Sequence, residues 1–219
     1  MKRVPKASTC LKPVEMHYCP GCGHREAHGM LARALDNLGA AGRSVGVVGA
    51  GCAARTYEYL DLDMAEAPRG RAVAVAAGIK RSLPHCLVFT YQSLDDGAGA
   101  GPGQLLAAAG RGEPITCIQI DNLAPGREPR QGLDLCRLLT QVDGAAFAAR
   151  AACPAEAGPL LEEALALQSQ NAGLCFVEIL APCPTRWRVS PKEAQGILRE
   201  QKAAALPLGV FKRPDGEPA

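Results

Sequence analysis

Short apolar runs alternate with helix-like stretches along the whole chain. The runs are bounded by glycine, proline or charged residues and hold few polar positions, which predicts strands that are buried on both faces. The predicted strands cover 44–48, 87–91, 115–120, 146–151 and 174–180. The predicted helices cover 27–38, 71–82, 104–109, 133–142, 160–168 and 191–205, and the mixed stretch 57–64 is interpreted as a turn or a short helix.

This alternation predicts an α/β fold in which a parallel sheet carries helices on both faces. In such a sheet, ligands bind at the carboxyl ends of the strands. Glycine, cysteine, carboxylate and amide side chains follow four of the predicted strands, and 93–103 is predicted to be a glycine- and aspartate-rich loop. These residues are Gly51 and Cys52, Ser93 to Asp96, Asp121 and Asn122, and Cys183. We therefore expect several strand ends to form one site.

Length, charge and cysteine content indicate the number of domains, the partners and the cellular compartment to expect. A chain of 219 residues supports one ample core, so we predict a single domain over 19–211, after an extended arm over 1–18 and before a frayed tail over 212–219. The net charge of +2 gives no reason to expect nucleic acid or a membrane surface as a partner. The basic amino terminus lacks the apolar core of a signal peptide, and ten cysteines are too few for a disulfide scaffold of this size. The sequence thus predicts a cytoplasmic protein with reduced thiols.

The richest segment is HYCPGCGH at 17–24, in which Cys19 and Cys22 form a C-x-x-C loop. By itself this loop is half of a metal site, a redox dithiol or a pair of bystander cysteines. Cys52 and Cys183 follow predicted strands, so four thiolates can meet in a tetrahedral site for zinc or a 4Fe-4S cluster. Spacing does not choose between the two metals. Burial as small apolar side chains is the alternative for Cys52 and Cys183.

Several blocks, in order, resemble the beta subunit of 2-oxoacid:ferredoxin oxidoreductases, the subunit that binds thiamine diphosphate. They are HYCPGCGH, VGAGC at 48–52, APRGRAVAVAAGIKR at 67–81, LVFTYQ, RGEPIT, DGAAFAAR and FVEILAPCPTRW. The resemblance implies a thiamine diphosphate-binding fold and a 4Fe-4S cluster held by Cys19, Cys22, Cys52 and Cys183. It also implies oxidative decarboxylation of a 2-oxoacid, with coenzyme A taking the acyl group and ferredoxin the electrons. The implied partners are ferredoxin and an alpha-type subunit, or alpha with gamma and delta subunits.

The resemblance also implies a Mg²⁺ and thiamine diphosphate site, and here the sequence departs from the family pattern. Family members bind Mg²⁺ through the Asp of a Gly-Asp-Gly-Asp loop, a later Asn and a backbone carbonyl; here Leu94 stands in the place of that Asp. Arg69 replaces the His of a His-Gly-Arg turn, and 128–131 reads EPRQ in place of Thr-Gly-Gly-Gln. The candidate cofactor-binding residues are Gly51, Arg69, Gly70, Asp95, Asp96, Asn122 and Ala124.

Three functions follow from this sequence. The first is an oxidoreductase subunit with an altered thiamine site, and the second is an iron-sulfur electron-transfer or structural subunit without thiamine chemistry. The third, less consistent with the resemblance, is a ligand-binding protein with structural zinc. Arg127 and Arg130 are candidates to bind phosphate or are plain surface charges. His24 and His28 are predicted to be packing residues, with a position facing the cluster as the alternative.

Overall fold

The computed structural model describes residues 8–122, 133–152, 156–202 and 206–214, and these ranges contain a seven-stranded sheet. The strands are β1 (Ser44–Val48), β2 (Asp63–Glu66), β3 (Leu87–Ser93), β4 (Thr116–Asp121), β5 (Ala145–Ala152), β6 (Leu174–Leu180) and β7 (Gly209–Lys212). Their order across the sheet is β2-β1-β3-β4-β6-β5-β7. All neighbouring pairs are parallel except β5 and β7, which pair antiparallel.

Helices cover both faces of this sheet. They are α1 (His24–Asn37), α2 (Ala72–Ser82), α3 (Pro102–Gly110), α4 (Leu135–Thr140), α5 (Ala157–Ser169), α6 (Pro184–Trp187) and α7 (Pro191–Ile197). One apolar cluster joins α1 and α5 to one face of the sheet, and a second joins α2, α3 and α4 to the other. The predicted parallel α/β architecture is therefore confirmed.

The fully apolar runs were predicted well because burial on both faces leaves an unmistakable pattern. Strands β1 and β6 have the predicted bounds, and every residue in each is buried. The two edge strands were not predicted. Strand β2 reads DMAE and has exposed ends, and β7 is a short, half-buried GVFK segment, so neither shows an apolar run.

Two segments at the strand ends differ from their predictions. The stretch 57–64 is not one turn or short helix: a 3-10 segment (Gly51–Glu58) ends inside it and β2 begins at Asp63. The predicted loop 93–103 contains π-helical turns (Asp95–Ala100), and α3 begins at Pro102. The chain after β1 and β3 is thus more regular than its glycine content suggests.

None of the helices in the described ranges is both long and apolar enough to cross a membrane.

Candidate functional site

The C-x-x-C loop is fastened to the chain that follows β6. The Cys22 amide donates to the Cys19 carbonyl (3.0 Å), which closes the loop, and the Gly23 amide donates to the Pro182 carbonyl (3.1 Å). Gly21 has φ +75°, and a Cβ at this position would lie 2.6 Å from the Pro191 Cβ. Only glycine fits so close an approach in this backbone conformation. The loop therefore sits directly against the segment that carries Cys183.

Cys52 and Cys183 approach from two different strands. Cys52 lies in the 3-10 segment after β1, where Gly51 takes φ +89° to turn the chain. Cys183 follows β6 and caps the amino end of α6. Cys22 and Cys183 are buried, whereas Cys19 and Cys52 are exposed. The four cysteines thus straddle the boundary between the protein interior and its surface.

The four thiols influence one another's ionisation. The pKa of Cys22 is raised to about 12, chiefly by burial and to a smaller extent by the thiols of Cys183, Cys52 and Cys19. Burial also raises the pKa of Cys52 and of Cys183, and Cys19 adds to both effects. Four thiolates this close would repel one another. A bound metal centre carries positive charge and would stabilise them in the ionised form.

In the ranges that the structure describes, no three His, Cys, Asp or Glu side chains stand close enough to hold a metal ion. The thiols are therefore within electrostatic range of one another without being drawn together as ligands. Their chemistry still fits an all-cysteine centre, because four soft sulfur donors are what zinc and iron-sulfur clusters take. The assignment of these cysteines as ligands stays a prediction.

A cluster of six rings packs behind the cysteine loop. Tyr18 stacks on His24 with centroids 4.7 Å apart, and its hydroxyl lies 3.0 Å from His28 Nε2. His24 Nδ1 lies 2.9 Å from the Tyr91 hydroxyl. The remaining two members, His17 and Tyr59, hydrogen-bond to each other. Both His24 and His28 are fully buried in this cluster, as predicted for packing residues, and their rings support the loop from behind.

Acid should loosen this ring cluster through His28. Burial first, and then the charges of His24 and His17, lower the pKa of His28 from 6.5 to about 3. A histidine whose pKa is depressed by folding leaves stability intact above pH 6.5 and removes it as the pH falls towards the folded value. Between about pH 7 and pH 4 we expect His28 to account for a loss of about 2–3 kcal/mol in unfolding free energy.

The check is a set of urea unfolding curves across that pH range for the wild type, His28→Gln and His85→Gln. The His28→Gln chain should lose less stability on acidification, whereas His85→Gln, which replaces an exposed histidine, should follow the wild type. Parallel acid losses in all three chains would contradict the role given to His28.

Leu94, the residue predicted to stand at the magnesium-ligand position, has an apolar environment. Leu94 is 2% exposed and belongs to the apolar cluster between the sheet and α2, α3 and α4. A leucine side chain offers no oxygen, and Mg²⁺ requires about six oxygen ligands in near-octahedral geometry. Position 94 therefore supplies no ligand for Mg²⁺, and its side chain serves the apolar core.

The two carboxylates after Leu94 are engaged elsewhere. Asp96 is fully buried; its Oδ1 accepts the Gly70 amide (2.8 Å) and its Oδ2 accepts the Gln92 side-chain amide (2.7 Å). A Cβ on Gly49 would lie 1.9 Å from Asp96 Oδ2, so this carboxylate fills the space beside the end of β1. Asp95 is half-exposed and pairs with Arg186 at 2.9 Å. Asp96 thus works as an internal tie between β3 and the turn before α2.

The other predicted cofactor residues are dispersed around this edge. Arg69 is exposed, and Asn122 is buried after β4, where its backbone carbonyl accepts the Trp187 indole N–H (2.9 Å). Ala124, Arg127 and Arg130 lie outside the described residues. The donors seen here do not make up a Mg²⁺ ligand set, so the described residues do not fit a magnesium-bound diphosphate.

Sequence reasoning did not single out Arg186, which lies among the candidate site residues. It follows Cys183 by three positions and reaches Asp95, which is 91 residues earlier in the chain. Its presence in the block FVEILAPCPTRW was the available signal, because that block brings an arginine to the strand end that holds a candidate metal ligand.

No protein-family model matches the chain. Individual relatives do. Ketoisovalerate oxidoreductase subunit VorA of Methanothermobacter thermautotrophicus is 31% identical over 91% of this chain and 48% of the relative. The beta subunit of 2-oxoacid:ferredoxin oxidoreductase 2 of Aeropyrum pernix is 30% identical over 78% of this chain and 61% of the relative. The chain spans about half the length of the VorA relatives that it matches. The resemblance stated from the sequence blocks is confirmed by these relatives.

Solved structures agree on the fold. A 2-oxoglutarate:ferredoxin oxidoreductase from Magnetococcus marinus matches with a TM-score of 0.76 at 20% identity, over 97% of this chain and 86% of the matched chain. A thiamine diphosphate-dependent 4-hydroxybenzoylformate decarboxylase from Rhodococcus jostii matches with a TM-score of 0.50 at 15% identity, over 69% of this chain and 32% of the other. At these identities the likeness shows the fold alone, and it confirms the predicted thiamine diphosphate-binding type of α/β fold.

Proposed function

We propose, from the kinship of this chain with the beta subunits of 2-oxoacid:ferredoxin oxidoreductases, that it is an iron-sulfur subunit of such an enzyme whose own thiamine site is altered. The observation that carries the proposal is that the loop of Cys19 and Cys22 is hydrogen-bonded to the segment that carries Cys183, while Cys52 follows a second strand at the same edge of the sheet. The complete enzyme would oxidatively decarboxylate a 2-oxoacid and pass the electrons to ferredoxin. An alpha-type subunit would supply the remainder of the active site.

The cysteines would hold a 4Fe-4S cluster, which accepts and releases one electron at a time when bound. The chain's own contribution is to position and shield the ligands. The Cys22 amide donates to the Cys19 carbonyl and the Trp187 amide donates to the Cys183 carbonyl, so backbone hydrogen bonds close the turns that carry these candidate ligands. These turns fix the backbone from which the sulfurs would reach a bound cluster.

A second function is favoured by one specific observation. Leu94 is buried in an apolar cluster at the place of the magnesium ligand, and Asp95 and Asp96 have other partners. This supports a subunit that keeps the electron relay and has lost thiamine diphosphate and Mg²⁺, so that it serves for electron transfer or assembly. The two functions share the cluster and differ in the cofactor.

The experiment that tests the shared part is metal analysis of anaerobically purified protein. We expect about four iron and four sulfide per chain, with an electron paramagnetic resonance signal after reduction. Cys52→Ser should lose most of the iron and lower the unfolding temperature, because metal binding is coupled to folding. Cys86→Ser is the matched control, because Cys86 is packed in an apolar cluster just before β3, at the end of the strand opposite the candidate ligands.

Zinc in place of iron and sulfide would contradict the proposal and favour a structural metal site. Iron that is undiminished in Cys52→Ser would remove Cys52 from the ligand set.

A further inference from the structure

An ion pair crosses the carboxyl edge of the sheet beside the cysteines. Arg186 Nη1 lies 2.9 Å from Asp95 Oδ2. Asp95 follows β3 and Arg186 lies in α6 after β6, and in the sheet β4 runs between these two strands. The pair therefore bridges the end of β4. The next residue, Trp187, secures the same crossing because its indole N–H donates to the Asn122 carbonyl.

The backbone holds Arg186 next to a candidate ligand. Cys183 is the N-cap residue of α6, the short helix that contains Arg186, and the Trp187 amide donates to the Cys183 carbonyl (2.9 Å), which closes this turn. The arginine is therefore fixed within one helical turn of Cys183, at the edge of the sheet where Cys52 follows β1.

The two side chains are accessible enough to be altered without emptying the core. The Arg186 side chain is 33% exposed and the Asp95 side chain is 50% exposed. An exposed pair of this kind contributes little to folding, because solvent screens the two charges. The pair therefore places two opposite charges at this edge with little effect on folding.

We propose that Arg186 and Asp95 are positioning residues that set the reduction potential of the cluster held by Cys19, Cys22, Cys52 and Cys183. Reduction adds one electron, and therefore one negative charge, to the cluster. A guanidinium nearby stabilises the reduced form and raises the potential, and the Asp95 carboxylate holds the guanidinium in place and offsets part of its charge. This inference rests on the proposed function, because it requires the cluster.

The test is a redox titration of the anaerobic protein, followed by electron paramagnetic resonance, after iron and sulfide have been counted. Arg186→Gln should shift the midpoint to a lower potential, and Asp95→Asn should shift it to a higher one. Arg186→Lys should lower the midpoint less than Arg186→Gln does, since lysine keeps the positive charge and loses the planar contact with Asp95. Arg213→Gln breaks a comparable exposed pair with Glu163 on α5 and should leave the midpoint unchanged.

The outcomes separate the two proposals. A wild-type protein without iron and sulfide overturns the proposed function and this inference with it. A normal cluster whose midpoint is the same in Arg186→Gln and Asp95→Asn as in Arg213→Gln overturns the inference alone. If Arg186→Gln fails to retain the cluster, the midpoints of Asp95→Asn and Arg186→Lys decide. A higher midpoint in Asp95→Asn with a lower one in Arg186→Lys supports the inference, and unchanged midpoints in both contradict it.

Discussion

Replacing Arg150 with methionine should lower the free energy of unfolding by about 3–5 kcal/mol. Arg150 is fully buried on β5, and its guanidinium has three polar partners. Nε donates to Glu178 on β6, Nη2 donates to Asp134 before α4 (2.6 Å), and Nη1 donates to the Pro207 carbonyl (3.2 Å). One side chain thus joins the sheet to α4 and to the segment that leads into β7.

The large expected loss comes from what the methionine would leave behind. Glu178 is 0% exposed, and beyond Arg150 it accepts the Gln119 side-chain amide (3.1 Å). Without the guanidinium this carboxylate would lose the close ion pair that compensates its burial, which is the costly case for a buried charge. The Phe211 ring, 5.1 Å from the guanidinium carbon, would also lose its cation contact.

Urea unfolding measures the change in unfolding free energy for three variants: Arg150→Met, Arg150→Met/Glu178→Met and Arg213→Met. The double variant should recover part of the loss, because it removes the carboxylate together with its cation. Arg213→Met breaks an exposed pair whose charges are screened by solvent, so it should cost far less than Arg150→Met. An Arg150→Met chain as stable as Arg213→Met would show that the buried network contributes nothing to folding.

This network also shows where sequence reasoning stops. Strand β5 reads AAFAARAA, and its apolar residues were enough to predict a buried strand. Whether the arginine in it faces solvent or the interior depends on Glu178 and Asp134, which are 28 and 16 residues away. Only the strand order, which places β5 beside β6, brings these charges together. The pattern of apolar and polar residues along one strand contains no information on these ion pairs.

For the candidate site, the sequence likewise predicted where residues lie along the chain and did not predict their partners. The position of Cys52 and Cys183 after β1 and β6 follows from two unmistakable apolar runs, and parallel strands bring their carboxyl ends to one edge. The partners of the carboxylates were not predictable. Asp95 and Asp96 look alike in the sequence, yet one faces Arg186 at the surface and the other is buried against Gly70 and Gln92. The π-helical turns of Asp95–Ala100 decide which is which, and these turns have no clear sequence signal.

Placing a carboxylate at position 94 should destabilise the chain without creating a magnesium site. Leu94 is 2% exposed among apolar side chains that include Val45, Val73 and Ala98. In Leu94→Asp a charge would enter this cluster with no cation in its packing, and we expect the free energy of unfolding to fall by about 3–5 kcal/mol. The asparagine of Leu94→Asn has nearly the shape of aspartate without its charge, so this variant should lose less unfolding free energy than Leu94→Asp.

Magnesium is not expected to reverse the loss, because the carboxylate introduced by Leu94→Asp would provide too few of the required oxygens. The Asp96 oxygens are held by the Gly70 amide and the Gln92 side chain, and Asp95 is drawn to Arg186. Calorimetric titration with Mg²⁺ and thiamine diphosphate, on iron-replete wild type, Leu94→Asp and Leu94→Asn, should therefore show no magnesium-dependent affinity in any of them. Binding by the wild type would instead favour the subunit with a working cofactor site. Binding gained only by Leu94→Asp would mean that one leucine accounts for the altered site, and that the ties made by Asp95 and Asp96 yield to the cofactor.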